Sequence, residues 1–249
     1  MTGLSLMLMP SVRIPDFLPS TRGFKFSNSW AHVPVLEIKI GDLATIDLGD
    51  AANGLCGGMS FTVADAYLAG LPELADLANP DHGSPRFDYI VGRQLDSFAG
   101  IAVPLRFYQL MRTSRPDREP AWAGALSWFG VDQHSRAYVM IHDEWPRLQV
   151  ELDAGRPAMM GLVRTVSDDP RLLGHNHQVM AYGYDLNGPS LTLRIYDPNW
   201  PGDDGVVLSL DISDPRSAAA ANYSKPDGPL YGFFAAPYTR RDPAPWRMA

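Results

Sequence analysis

The chain has 249 residues, 45% of them hydrophobic and 20% charged, with a formal net charge of -7. At this length a core forms without disulfide or metal staples, and the acidic balance argues against nucleic-acid binding, which rests on clustered Lys and Arg. No stretch approaches the roughly 20 apolar residues needed to cross a bilayer, and the single cysteine rules out an intrachain disulfide or a multi-cysteine zinc site.

The opening segment, Met1 to Pro10, is apolar but lacks a basic n-region, a full apolar h-region and a small-residue cleavage site, so it reads as a tail or edge segment and not as an export signal. With one unpaired cysteine, a cytoplasmic location is expected. Val33 to Ile40 and Leu43 to Leu48 have strand-like content. From Met59 to Leu68 apolar residues recur at helical spacing, and Gly70 with Pro72 supplies a stop. A second helix is expected from Pro85 to Phe98 after Ser84, and a shorter one over Pro104 to Met111. The polar, proline-bearing stretch Thr113 to Pro120 reads as a surface loop.

A further helix is expected from His142 to Ala154, ended by Gly155-Arg156-Pro157, and Ala158 to Val166 reads as a buried strand. His177 opens the next strand, Asn187-Gly188 signals a hairpin turn, and Leu191 to Tyr196 alternates as a strand should. Helices first and antiparallel strands later predict an α+β fold. One domain over 1–249 is expected: an extended or β region over 1–50, a mainly helical half over 51–155 and a mainly β half over 156–249.

Cys56 stands in Asn53-Gly54-Leu55-Cys56-Gly57-Gly58, directly before the first long helix. A thiol there faces unpaired backbone N–H groups and the positive end of the helix dipole, which favour its thiolate. His177 at the start of one strand and Asp197 at the end of the next supply a base and a group to orient it. Each residue also has a plain reading: a buried cysteine packs as a small hydrophobe, and Asp197-Pro198-Asn199 terminates a strand. Asp197, Asn199, Asp203 and Asp204 lack the alternation and distal glutamate of a calcium loop, and no metal is expected. The aromatics Trp122, Trp128, Phe129, Tyr138 and Trp145 fit either a cleft wall or core packing.

Three segments resemble the papain-like cysteine peptidase superfamily: Gly54-Leu55-Cys56-Gly57-Gly58 before a helix, His177-Gln178-Val179-Met180-Ala181-Tyr182-Gly183-Tyr184, and Leu193-Arg194-Ile195-Tyr196-Asp197-Pro198-Asn199-Trp200. The pattern is nearest to bacterial members that carry Asp as the third catalytic residue, such as the double-glycine leader peptidases. The resemblance implies a helical part headed by the cysteine helix and packed on an antiparallel sheet, with Cys56 as nucleophile, His177 as base and Asp197 as orienter.

No glutamine stands where papain has its oxyanion donor, so Asn53, the nearest amide, takes that role together with the Cys56 N–H. Gly57 and Gly58 replace the aromatic that follows the cysteine in papain, and with His175 they are expected on the substrate side. The implied activity is hydrolysis of an amide, peptide or related acyl bond through a thioester on Cys56, acting on a peptide, protein or other amide-bearing substrate without a cofactor. Acyl transfer, deamidation or transglutamination on the same trio, and a non-catalytic binding module on the same scaffold, remain as alternatives.

Overall fold

The computed structural model of the chain describes residues 10–30, 36–40, 44–48, 54–72, 74, 76–120 and 134–243. The mixture is α+β, with antiparallel strands. Strands β1 (Ser11–Arg13), β2 (Leu36–Ile40) and β3 (Ala44–Leu48) come early, with the short helix α1 (Pro19–Arg22) between the first two. Helices α2 (Cys56–Leu68), α3 (Pro85–Ser97) and α4 (Ala102–Met111) follow. The α-helical turn α5 (Arg136–Tyr138) and helix α6 (Trp145–Asp153) are joined by a π-helical stretch, Val139–Glu144.

The remaining strands are β4 (Ala158–Val163), β5 (His177–Asn187), β6 (Ser190–Tyr196), β7 (Val207–Asp211), β8 (Asn222–Tyr223) and β9 (Gly232–Ala235), and a 3-10 turn (Pro170–His175) precedes β5. The early strand segment at Val33 to Val35 and the N-terminal Met1 to Met9 lie outside the described residues.

The main sheet runs β8-β7-β6-β5-β4-β9, with β1 added beside β5. β4 pairs with the first half of β5, from Leu162↔His177 to Ala158↔Ala181, and β1 continues along the same edge to Ser11↔Asp185. Every residue from His177 to Tyr184 is buried. Because successive strand side chains point to opposite faces, both faces of this strand are covered, and α2 and α6 pack against it. The hairpin into β6 turns at Gly188, whose positive φ of 57 suits a primed turn.

Beyond β7 and β8 the chain returns to the far edge of the sheet, where β9 pairs with β4 from Met160↔Ala235 to Val163↔Gly232. Glu144 secures that return: the buried carboxylate accepts the Ala235 N–H at 3.0 Å and pairs with Arg106 at 2.5 Å. The π stretch ends at Glu144, two residues before Pro146. Proline has no N–H and its ring crowds the carbonyl four residues back, so the helix widens before it. That widening moves the regular α-helix start to Trp145, three residues after the expected His142.

Helix α2 has no capping side chain of its own, because Leu55 stands at its N-cap. Two side chains from elsewhere take over: Asn28 Oδ1 accepts the Leu55 N–H at 2.6 Å, and Gln94 Oε1 on α3 accepts the Gly58 N–H at 2.8 Å. A β-carbon at Gly58 would stand 2.2 Å from the Ile90 carbonyl oxygen, so glycine there permits the close approach of α2 to α3. Thr113 to Pro120 contains no helix or strand. It is pinned by Arg136, whose guanidinium donates to the carbonyls of Leu110, Arg112 and Arg115.

Candidate active site

Cys56 is the first residue of α2 and is 6% exposed. Its sulfur accepts the Gln178 N–H at 3.4 Å from β5. Burial raises the thiol's pKa, but the opposing charge and hydrogen bond of His177, with the N–H groups of Gln178 and Gly57, outweigh burial, and the pKa is lowered overall. Leu55, Gly57 and Gly58 have given their N–H groups to Asn28, the sulfur and Gln94. The Cys56 N–H is the donor these partners leave over at this terminus.

His177 Nε2 bonds Asp197 Oδ1 at 2.7 Å, which leaves Nδ1 for the sulfur. Burial pushes the imidazolium pKa down, yet the Asp197 carboxylate and the Cys56 sulfur raise it to about 10. Asp197 is 1% exposed. Burial alone would raise its pKa, but the charge and hydrogen bond of His177, with the donors Tyr223 and Asn199, hold it below the usual carboxylate range. The aspartate does two jobs at once: Oδ1 also accepts the Asn199 N–H at 2.9 Å and its carbonyl accepts the Trp200 N–H at 2.9 Å. The strand-ending turn expected from Asp197-Pro198-Asn199 thus also aims the carboxylate at the histidine.

Cys56 and His177 border a cavity of about 390 Å³ whose walls also include Ser27, Asn28, Ser29, Arg164, His175, Asn176, Asn199 and Asp227, with Asp197 buried behind the histidine. His175 is exposed on this wall. It ends the 3-10 turn and does not belong to β5, so it reaches the cavity from the turn. Gly57 and Gly58 are buried against α3 and Gln178, and neither lines the cavity: a β-carbon at Gly57 would stand 2.3 Å from Ser97 Oγ and 2.8 Å from Gln178 Oε1. Their role in the fold is close packing of the cysteine helix.

Asn53 lies outside the described residues, as do Trp122, Trp128 and Phe129. Of the three side-chain amides at the cavity wall, Asn28, Asn176 and Asn199, Asn28 is the one bonded to the start of the cysteine helix. Besides holding the Leu55 N–H, its Nδ2 stands 3.2 Å from Asn199 Oδ1, and a β-carbon on Gly54, whose φ is +38, would collide with it. Asn28 precedes the cysteine by a whole hairpin, and no local signal singles it out. Of the other aromatics, Trp145 packs edge-on against Tyr184 at 5.0 Å, and Tyr138 stacks between His134 and His142 at 4.1 and 4.6 Å. Both serve packing away from the cavity wall.

Asp203 accepts the Gly205 N–H and pairs with Lys225, while Asp204 accepts both the N–H and the hydroxyl of Ser20. The bonds from Ser20 to Asp204 fasten the turn after Asp197 to α1. Among the described residues no group of three or more His, Cys, Asp or Glu side chains is arranged to hold a metal ion, and no helix is long and apolar enough to cross a membrane. No protein-family model, no curated protein and no solved structure matches the chain.

Proposed function

We propose that the protein is a papain-like thiol hydrolase that cleaves an amide, peptide or related acyl bond through a thioester on Cys56. One observation carries this reading. The chain's single thiol is held below its ordinary pKa by a histidine whose other nitrogen bonds a buried carboxylate, at the wall of a cavity. Structural ion pairs also perturb pKa values, but a sulfur paired with an imidazole beside an open space is the arrangement nucleophilic catalysis requires.

In the proposed cycle the Cys56 thiolate attacks the carbonyl carbon, and the charge that develops on oxygen meets the Cys56 N–H and the Asn28 amide. His177, as imidazolium, gives its Nδ1 proton to the leaving nitrogen as the C–N bond breaks. The same nitrogen then takes a proton from water, which attacks the thioester and releases the thiolate. Asp197 keeps the ring oriented through both half-reactions. Ser27, Ser29, Asn176 and Asn199 give the cavity polar walls that suit the amide groups of a peptide.

The test is a peptide library incubated with the protein, with and without an added amine, and read by product mass spectrometry. Cleavage by the wild type and none by Cys56→Ala is expected, and an amine adduct in the products would redirect the reading to acyl transfer. A Cys56 no more reactive toward a thiol-directed electrophile than free cysteine near neutral pH would overturn it. Asn28→Ala is expected to lower kcat about 10²-fold while leaving electrophile labelling of the sulfur in place, because its amide meets the developing oxyanion and not the thiolate.

A further inference from the structure

We infer that Tyr223 is a positioning residue of this site, a fourth member that holds the Asp197 carboxylate, and through it the His177 ring, from the edge of the sheet. The inference rests on the reading of Cys56 and His177 as a reactive pair. Tyr223 sits on β8, an edge strand of only two residues whose ladder contribution is small. Its hydroxyl nevertheless reaches the end of β6 and donates to Asp197 Oδ2 at 2.5 Å.

The two carboxylate oxygens are therefore held separately, Oδ1 by His177 Nε2 and the Asn199 N–H, Oδ2 by the tyrosine. A carboxylate held at one oxygen turns about its Cβ–Cγ bond, a torsion with broad wells. Held at both, it stays in the plane that faces the imidazole. The tyrosine ring is fixed in turn: the Arg164 guanidinium lies 4.8 Å over its centroid and donates to the Asp227 carbonyl at 2.8 Å. Burial and the neighbouring Asp197 push the phenol's pKa far up, so it remains a donor throughout the working range.

The charged and titratable groups facing the hydroxyl are Asp197, Arg164 and Asp227, and those facing His177 are Asp197 and Cys56. Tyr223 touches none of the reacting atoms, so its effect passes through Asp197. With Phe at 223 the ring and its stacking remain and the second anchor is lost. The carboxylate then holds the imidazolium less well, and the imidazolium holds the thiolate less well.

The test reads the rate of Cys56 alkylation by iodoacetamide against pH, which needs no knowledge of the substrate. The wild type is expected to show a plateau of thiolate reactivity. In Tyr223→Phe that plateau narrows from both sides, each limb moving by about 0.5–1 pH unit, the shift expected from one lost hydrogen bond. In an Asp197→Asn background the same substitution adds nothing further, because the two residues act as one unit. A Tyr223→Phe profile that superimposes on the wild type, or a shift that persists undiminished in the Asp197→Asn background, would overturn the inference.

Thermal unfolding checks that the variant is folded. If it is not, 3-fluorotyrosine at 223 keeps ring and hydroxyl while changing the donor's acidity, and must move the limbs of the plateau; an unchanged plateau would count against the role. A wild type with no plateau at all would instead defeat the underlying reading of Cys56, so the two failures are distinct.

Discussion

Helix α2 carries two buried charged clusters, and they are built to opposite ends. At its first residue Cys56 meets His177; about 2.5 turns along, Asp65 meets Arg93. Asp65 is saturated: it pairs with Arg93 at 2.7 Å and accepts the hydroxyls of Tyr89 and Tyr238 and the N–H of Arg241. Arg93 also donates to the Thr239 carbonyl. The cluster clasps the segment from Tyr238 to Arg241 onto α2 and α3.

Burial still wins at Asp65, whose pKa is raised despite four sources of stabilisation. At Cys56 burial loses, because the partner is an imidazole that gains its own proton by leaning on Asp197. Two buried charges on one helix therefore serve different ends. A fixed cation paired with a carboxylate whose acceptors are filled holds the fold, while, on the proposed reading, a titratable cation backed by a carboxylate and open to a cavity prepares a nucleophile.

The largest expected effect breaks the second kind of cluster. His177→Ala removes the proposed base together with the counter-charge of the buried Asp197 carboxylate, so hydrolysis is expected to fall about 10³-fold or more, measured on whichever peptide the library yields, and the unfolding temperature is expected to fall as well. Asp197→Asn is milder and sharpens the same point. It keeps the shape but not the charge, so kcat should fall about 10²-fold, and the alkaline limb should retreat from about 10 toward neutral pH as the imidazolium loses its counter-ion.

The sign of the pH dependence follows from the two shifts. His177, raised to about 10, contributes stability that is complete below its ordinary pKa and is lost as pH rises through about 10. Cys56 and Asp197, both lowered, contribute stability present above their ordinary values and lost as pH falls through the depressed ones.

At the other cluster the prediction is reversed in kind. Arg93→Met leaves the buried Asp65 carboxylate without its cation and is expected to cost about 3–5 kcal/mol, a drop of roughly 10 °C in unfolding temperature, while the reactivity of Cys56 keeps its pH profile. A variant that instead shifted that profile would show the two clusters to be coupled along the helix. The smallest effect concerns the neighbouring helix. Ser84 caps α3 by accepting the Phe87 N–H at 3.3 Å, so Ser84→Ala should cost about 1 kcal/mol in thermal unfolding and nothing in reactivity.

What could be read in the sequence was local. The start of α3 follows from Ser84-Pro85, and the β5–β6 hairpin from Asn187-Gly188, each a signal contained within a few residues. Cys56, His177 and Asp197 could be picked out because each sits at an element's end, and the structure brings the three together. What escaped was long-range. β9 has four residues and finds its partner across the sheet at β4, so no hairpin turn announces it.

Asn28 and Tyr223 belong to segments without a periodic pattern and gain meaning only from what they face, the cysteine helix in one case and Asp197 in the other. The glycines after the cysteine were visible but misleading. Their signature is the close approach of α3, a contact between segments more than thirty residues apart.

The most direct measurement uses the fact that the chain contains one cysteine. Ultraviolet absorbance of the thiolate, followed across pH, titrates Cys56 alone. The expected midpoint lies well below the ordinary thiol value of about 8.5 and climbs back toward or above it in His177→Ala, where burial acts without the imidazolium. A wild-type midpoint at or above the ordinary value, unmoved by loss of His177, would contradict a prepared nucleophile at this site.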